Sequence, residues 1–216
     1  MNGINNYIYS TFNVKSYMKK LTLFVIVCAF YSCGSAKYDY FFDTGKELDF
    51  STGKWIMNRT VSNSKKFDTQ LYYNSVEDFK KILGDSLIEI HTLRASKLIA
   101  PEIKFNLSDL ELKELRKATD CDYIINIGGN VISDGAGSIG FEGETSSNRA
   151  SVSVAIYDLN LGELISSSQV YGKTLPNQEP IFPDDKSVPS INPSPHMIML
   201  NGARKLIHKY QKNRLN

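Results

Sequence analysis

Gly135, Gly137 and Gly140 stand in the spacing G-x-G-x-x-G just after an apolar stretch, the arrangement that lets a backbone close on a pyrophosphate. That chemistry needs a helix directly afterwards, whose amino terminus supplies unpaired N–H groups and the positive end of a dipole. Here a polar loop follows, and then the alternating run Ser151 to Ile156, which is a strand pattern, so nucleotide binding is not expected. His91, His196 and His208 are scattered, with no H-E-x-x-H and no paired cysteines, which denies zinc its usual ligand spacing. Asp134, Glu142 and Glu144 share a Gly- and Ser-rich loop, and solvation explains these carboxylates without a cation. No G-x-S-x-G surrounds a serine, and Cys121 opens a strand rather than a helix, so the usual source of thiolate activation is missing. Nothing in the sequence assembles a nucleophile, a base and an oxyanion site. The chain therefore reads as non-catalytic, with no cofactor.

The residue with a defined chemistry is Cys33. From Met18 the chain reads two lysines, a mostly apolar run from Leu21 to Tyr31, and then Ser32-Cys33-Gly34. This is the layout of a secretory signal: a positive start, an apolar middle and a small residue before the cut. The run is well short of the roughly 20 apolar residues that a stable span needs. A cysteine at the cut offers its thiol for a thioether to a lipid and, once freed, its amino group for an acyl chain. The stretch resembles a bacterial lipoprotein signal, with 18–32 as the signal peptide and Cys33 as the lipidated first residue. Cys28, preceded by Val27, reads as part of the apolar run, and residues 1–17 as an extension outside the mature protein.

Anchored chemistry needs a folded body behind it. Residues 33–53 read as the lipidated cysteine and a tether, in which Tyr38, Tyr40, Phe41 and Phe42 are apolar enough to dock on the domain's own surface. Residues 54–216 then form one domain. Lys54 to Ser62 alternates as a first strand, Asp68 to Leu83 carries the helical stripe Tyr72, Val76, Phe79 and Leu83, and Ser86 to His91 is a short strand. Leu93 to Phe105 looks irregular. Ser108 and Glu111 mark a capping box at the start of a helix that runs to Thr119, with Leu107 and Leu112 at the staple positions. Cys121 to Lys173 reads as three strands, the last two joined by the turn Asp158 to Gly162. Six of the seven prolines fall in 174–195, which reads as an extended surface segment and a candidate recognition element. Ser194-Pro195 opens a final helix whose stripe is Met199, Ala203, Leu206 or Ile207, and Tyr210. The expected fold is α/β (α+β): a single mixed sheet of about five strands covered by about three helices, in the order β-α-β-α-β-β-β-α.

Charge excludes one large class. The chain holds 25 Lys+Arg and 23 Asp+Glu, a net charge of +2, so there is no electrostatic ground for nucleic acid as a partner. The mature chain keeps only Cys33 and Cys121, which permits no disulfide framework and leaves Cys121 as a buried apolar-like side chain.

Asp122, Tyr123, Gly128, Tyr157, Asp158, Gly162 and Glu163 recur in a pattern of helix, strand and strand-turn. It resembles the α/β domain of the TolB amino-terminal region and of related envelope lipoproteins, including the curli-assembly type and activators of penicillin-binding proteins. The resemblance implies a non-catalytic domain that binds other envelope proteins. The expectation is a lipid-anchored accessory or scaffold protein of envelope assembly, in the outer membrane and facing the periplasm. Candidate partner-contact residues are Pro176, Pro180, Phe182, Pro183, Tyr157 and Asp158. The competing readings are an envelope hydrolase acting on cell-wall or glycan material, with carboxylates converging near Asp134, Glu142 and Asp158, and a secretion-channel subunit.

Overall fold

Three strands in the middle of the chain carry the sheet. The computed structural model describes residues 36–134, 147–174 and 193–215. The strands are β1 (Ala36–Thr44), β2 (Trp55–Met57), β3 (Val61–Ser62), β4 (Leu87–Glu89), β5 (Tyr123–Ser133), β6 (Arg149–Asp158) and β7 (Glu163–Thr174). They form one mixed sheet in the order β1-β7-β6-β5-β2-β4, with β3 pairing with β5 further along that strand. The β1-β7-β6-β5 half is antiparallel. β2 runs parallel to both β4 and β5, and β3 is also parallel to β5.

Four helices cover this sheet: α1 (Asp68–Leu83), α2 (Ile90–Ser96), α3 (Asp109–Thr119) and α4 (Pro195–Asn213). One core lies under α1 and α4, where Leu71, Phe79, Met199 and Leu206 meet Met57, Ile125 and Ile156. The other lies under α2 and α3, where Ile90, Leu112 and Leu115 meet Ile56 and Ile124. Period-2 alternation divides β5 between the two, with Ile125 and Ile127 in one core and Ile124 in the other. The result is a three-layer α/β arrangement, which is the expected class.

The caps read from the sequence hold. The Ser108 hydroxyl accepts from the Glu111 N–H while the Glu111 carboxylate accepts from the Ser108 N–H, the reciprocal pair of a capping box. Ser194 accepts from the Met197 N–H in front of Pro195. The stripes of α1 and α4 are buried as their spacing predicts, and Tyr210 at the end of α4 lies 2.8 Å from Ser166 Oγ and 2.7 Å from Ser168 Oγ on β7.

The structure differs from the sequence reading at four places. First, residues 36–44 are not a tether: they are edge strand β1, with Tyr38, Tyr40 and Phe42 packed on the core and Lys37, Asp39 and Phe41 turned outward. Second, the expected first strand is two short ones, because Asn58 turns inward and Thr60 Oγ1 donates to the Asp68 carbonyl, ending the run between them. Third, strand 86–91 stops at Glu89, and Ile90 opens α2, whose Ile90 and Leu93 are buried one turn apart. Fourth, the counts are seven strands and four helices among the described residues, against five and three. The signal, Cys33, the G-x-G-x-x-G run and most of the proline-rich segment lie outside the described residues. Within the described residues no helix is long and apolar enough to cross a membrane.

Candidate functional site

In an α/β sheet, parallel strands deliver their carboxyl ends to one side, and loops there collect polar groups from different parts of the chain. β2 and β4 do this here. The chain leaves β2 through Asn58, Arg59 and Thr60, leaves β4 through Glu89 into His91, and faces the first turns of α1. Between them is a cleft of ≈ 350 Å³ lined by Arg59, Thr60, Asp68, Thr69, Tyr72, Tyr73 and His91.

Two of its lining residues, Tyr72 and His91, belong to a group gathered around Glu89. Tyr72 Oη donates to Glu89 Oε2 at 3.0 Å, and Lys80 Nζ donates to Glu89 Oε1 at 3.1 Å. His91 Nδ1 lies 3.4 Å from Tyr72 Oη and 3.7 Å from Glu89 Oε2. Burial pushes the Glu89 carboxyl up, but the hydrogen bonds from Lys80 and Tyr72 outweigh it and hold the group below its ordinary value. Burial, and then the bond to Glu89, push the Tyr72 phenol well up, so it stays protonated and serves as a donor rather than a base. Burial lowers the Arg94 guanidinium, and so does the positive charge of Arg59. Arg59 is exposed at the rim and makes no ion pair among the described residues. The arrangement suits the binding of a polar or anionic group by Arg59, Thr69 and His91.

A second hollow of ≈ 200 Å³ opens between the segment 98–107 and α3, lined mainly by Leu98, Ile99, Ile103, Leu107 and Leu115. It is apolar, with Glu102, Lys104 and Glu111 at its margin.

The residues singled out in the sequence are not brought together. Tyr157 is 5% exposed, and its hydroxyl donates to the Phe105 carbonyl and accepts from the Leu107 N–H. Asp158 is 8% exposed, and its Oδ1 accepts from the N–H groups of Asn160 and Leu161 to form the turn. Both side chains are therefore committed to the chain's own backbone. Pro176, Pro180, Phe182 and Pro183 lie outside the described residues, as do Glu142 and Glu144. Asp134 follows the end of β5, and Asp158 closes the opposite end of β6.

The three histidines serve separate places. His196 stacks on Phe67 with centroids 4.0 Å apart and has Nε2 3.0 Å from Ser64 Oγ, His208 is 3.1 Å from Gln211 Oε1, and His91 edges the cleft. Among the described residues no group of three or more His, Cys, Asp or Glu side chains could hold a metal. Cys121 is buried, and burial pushes its thiol up, so it is an inert core residue.

Asp122, one of the residues that carries the family resemblance, has a structural task. Its Oδ2 accepts from Lys54 N at the entry to β2 and its Oδ1 from Asn160 Nδ2 in the β6–β7 turn. Arg59, Tyr72 and Glu89 were not legible as a site, because the parallel pairing of β2 and β4 and the placement of α1 beside them bring the three together.

The fold and cleft define a three-layer α/β domain with a polar cleft at the carboxyl ends of its parallel strands. No known protein family matches the chain, and no curated protein does. Among solved structures the chain is similar to the PelC dodecamer from Paraburkholderia phytofirmans, at TM-score 0.42 and 10% identity, over 83% of this chain and 96% of that one. It is also similar to the hypothetical protein CT253 from Chlamydia trachomatis, at TM-score 0.36 and 13% identity, over 74% of this chain and 94% of that one.

Proposed function

We propose that this protein is a lipid-anchored accessory or scaffold protein of the bacterial envelope, held at the outer membrane on its periplasmic side and binding other envelope proteins without catalysis. The observation that supports this reading is the short distance in sequence between a lipidation signal and a folded edge. Cys33, the candidate acylation site, stands three residues before Ala36, the first residue of β1. An anchor there holds the domain against the bilayer with hardly any tether. It also presents β1, whose outer edge has no strand partner among the described residues.

An unpaired strand edge is a template for a further strand. β1 is nine residues long and turns Phe41 outward at 54% exposure, so the partner is an envelope protein that adds a strand beside β1. The TolB-like resemblance points the same way.

The test has two parts. Mass spectrometry of the protein from a bacterial envelope is expected to find acylated Cys33, and a Cys33→Ala variant is expected to leave the membrane fraction. A Cys33→Ala protein that stays membrane-bound, or a parent protein without acyl groups, sinks the anchoring claim. A photo-crosslinking residue at Phe41 is expected to capture a specific envelope protein that the same probe at Leu110 on α3 does not. Equal capture from both positions removes the β1 edge as the binding surface.

A further inference from the structure

We propose that Lys37, Lys173 and Arg149 form the membrane-facing contact of the domain, a cationic row that engages the phosphates of anionic lipid headgroups. The register makes the row. Lys37 on β1 is opposite Lys173 on β7, and Lys173 is opposite Arg149 on β6, so three cations stand side by side on one face of three neighbouring strands. Directly opposed residues in a sheet have Cβ atoms about 4.5–5.5 Å apart, and like charges at that spacing repel. All three side chains are exposed, and none has an ion pair among the described residues. Arg149 Nε donates only to Ser147 Oγ at 2.7 Å.

Among the described residues no carboxylate is ion-paired to the row. Asp39 shares the face two residues further along β1, opposite Tyr171, and makes no ion pair with Lys37 or Lys173. The contrast on the other face is informative. Lys205 and Lys209 of α4 sit 5.1 Å and 4.9 Å from the Tyr38 and Tyr40 ring centroids, so those cations have aromatic partners within the fold. Among the described residues the three in the row have no such aromatic partner.

Position along the chain names the occupant. This inference rests on the reading of Cys33 as the anchor. Lys37 is four residues beyond Cys33, and an extended chain spans at most about 3.6 Å per residue, so the two lie within ~14 Å of each other. Strands lie ≈ 4.8 Å apart, so Lys173 and Arg149 follow as the next steps sideways at the same end of the sheet. A cationic row at the anchored end meets the headgroup layer, and a lipid phosphate relieves the repulsion that the register imposes. Each cation near an anionic surface strengthens binding roughly five-fold, so the three together give on the order of 100-fold.

The test uses the mature chain, residues 33–216, with Cys33→Ser so that no acyl group contributes. Co-sedimentation with vesicles containing phosphatidylglycerol is expected to show binding that weakens as salt is raised, with little binding to phosphatidylcholine vesicles. Combined Lys37→Gln, Lys173→Gln and Arg149→Gln is expected to weaken it ~100-fold with an unchanged far-UV spectrum, while Lys205→Gln with Lys209→Gln leaves it as it was. Equal binding by the triple variant, equal binding to neutral vesicles, or displacement by millimolar inorganic phosphate at constant ionic strength overturns the proposal. Acylation of Cys33 is scored separately. Vesicle binding without acylation in cells removes the anchor but not the row, and acylation without vesicle binding removes the row alone.

Discussion

Asn58 donates its side-chain amide to the Asn126 carbonyl oxygen across 3.0 Å, between two buried positions on neighbouring parts of the sheet. The Asn58 amide also donates to the Ile103 carbonyl at 3.1 Å, and the Asn126 amide donates to the carbonyls of Lys104 at 3.2 Å and Phe105 at 2.7 Å. This pair holds 103–105, a segment in neither strand nor helix, over the second core. Asn126→Leu leaves the carbonyls of Lys104 and Phe105 without this donor and takes the acceptor from Asn58. The expected loss is about 2–4 kcal/mol, read as a lower urea midpoint at unchanged slope. An unchanged midpoint would show that water replaces the network at no cost.

The cap on α3 sets an acid dependence. Hydrogen bonds from the Ser108 N–H, then the Ser108 hydroxyl, then Lys104 hold the Glu111 carboxyl down at about 2, against an ordinary 4.5. A lowered folded-state pKa gives stability that is present above the ordinary value and is lost as pH falls from 4.5 toward about 2. Ser108→Ala is expected to cost about 1 kcal/mol at neutral pH and to flatten the fall in stability across that window. Denaturant titrations at several pH values check both, and parallel pH curves for parent and variant refute the assignment.

Two glycines separate backbone from side-chain obstruction. A Cβ on Gly45, at φ +61°, would sit 2.0 Å from the Ile165 carbonyl oxygen, which belongs to β7 and cannot step aside. A Cβ on Gly129 would sit 2.5 Å from Met199 Sδ, the end of a flexible side chain. Gly45→Ala is expected to cost about 2 kcal/mol or more and Gly129→Ala about half of that, measured as differences in thermal midpoint. The reverse order would mean that β1 yields more easily than the core beneath α4.

In the cleft, Tyr72→Phe removes one of the donors that hold Glu89 below its ordinary pKa. The Glu89 carboxyl is expected to titrate at higher pH in the variant, followed by carbon-detected NMR of that side chain. Its contribution to stability, present above the unfolded value and lost as pH falls through the folded one, shrinks accordingly. An unmoved titration would assign the lowering to Lys80 and His91.

Legibility followed the range of the interactions. The box of Ser108 and Glu111, the Ser194-Pro195 start and the stripe from Tyr72 to Leu83 are set within a few residues, and each stands in the structure as its spacing predicts. β1 was not legible as a strand because it pairs with β7, near the other end of the domain, while its Tyr-Asp-Tyr alternation is short and ends near Gly45. Parallel pairing of β2 with β4 and β5 leaves no local mark either, so the convergence of Arg59, Tyr72 and Glu89 could not be read from spacing. Tyr157 and Asp158 stand out in the sequence, but the backbone groups they bond, at Phe105, Leu107, Asn160 and Leu161, could not be read from it. Here one makes a core contact and the other a turn, and both tasks turn a side chain inward.

β1 has a further consequence for how the chain acquires its shape. It precedes every other described element, yet Ala36 can be paired only once Thr174 has arrived. Synthesis therefore releases β1 well before its partner, and the loop closed by their pairing spans Ala36 to Thr174, a long-range contact of the kind that slows folding. Until then Tyr38, Tyr40 and Phe42 have no core to meet.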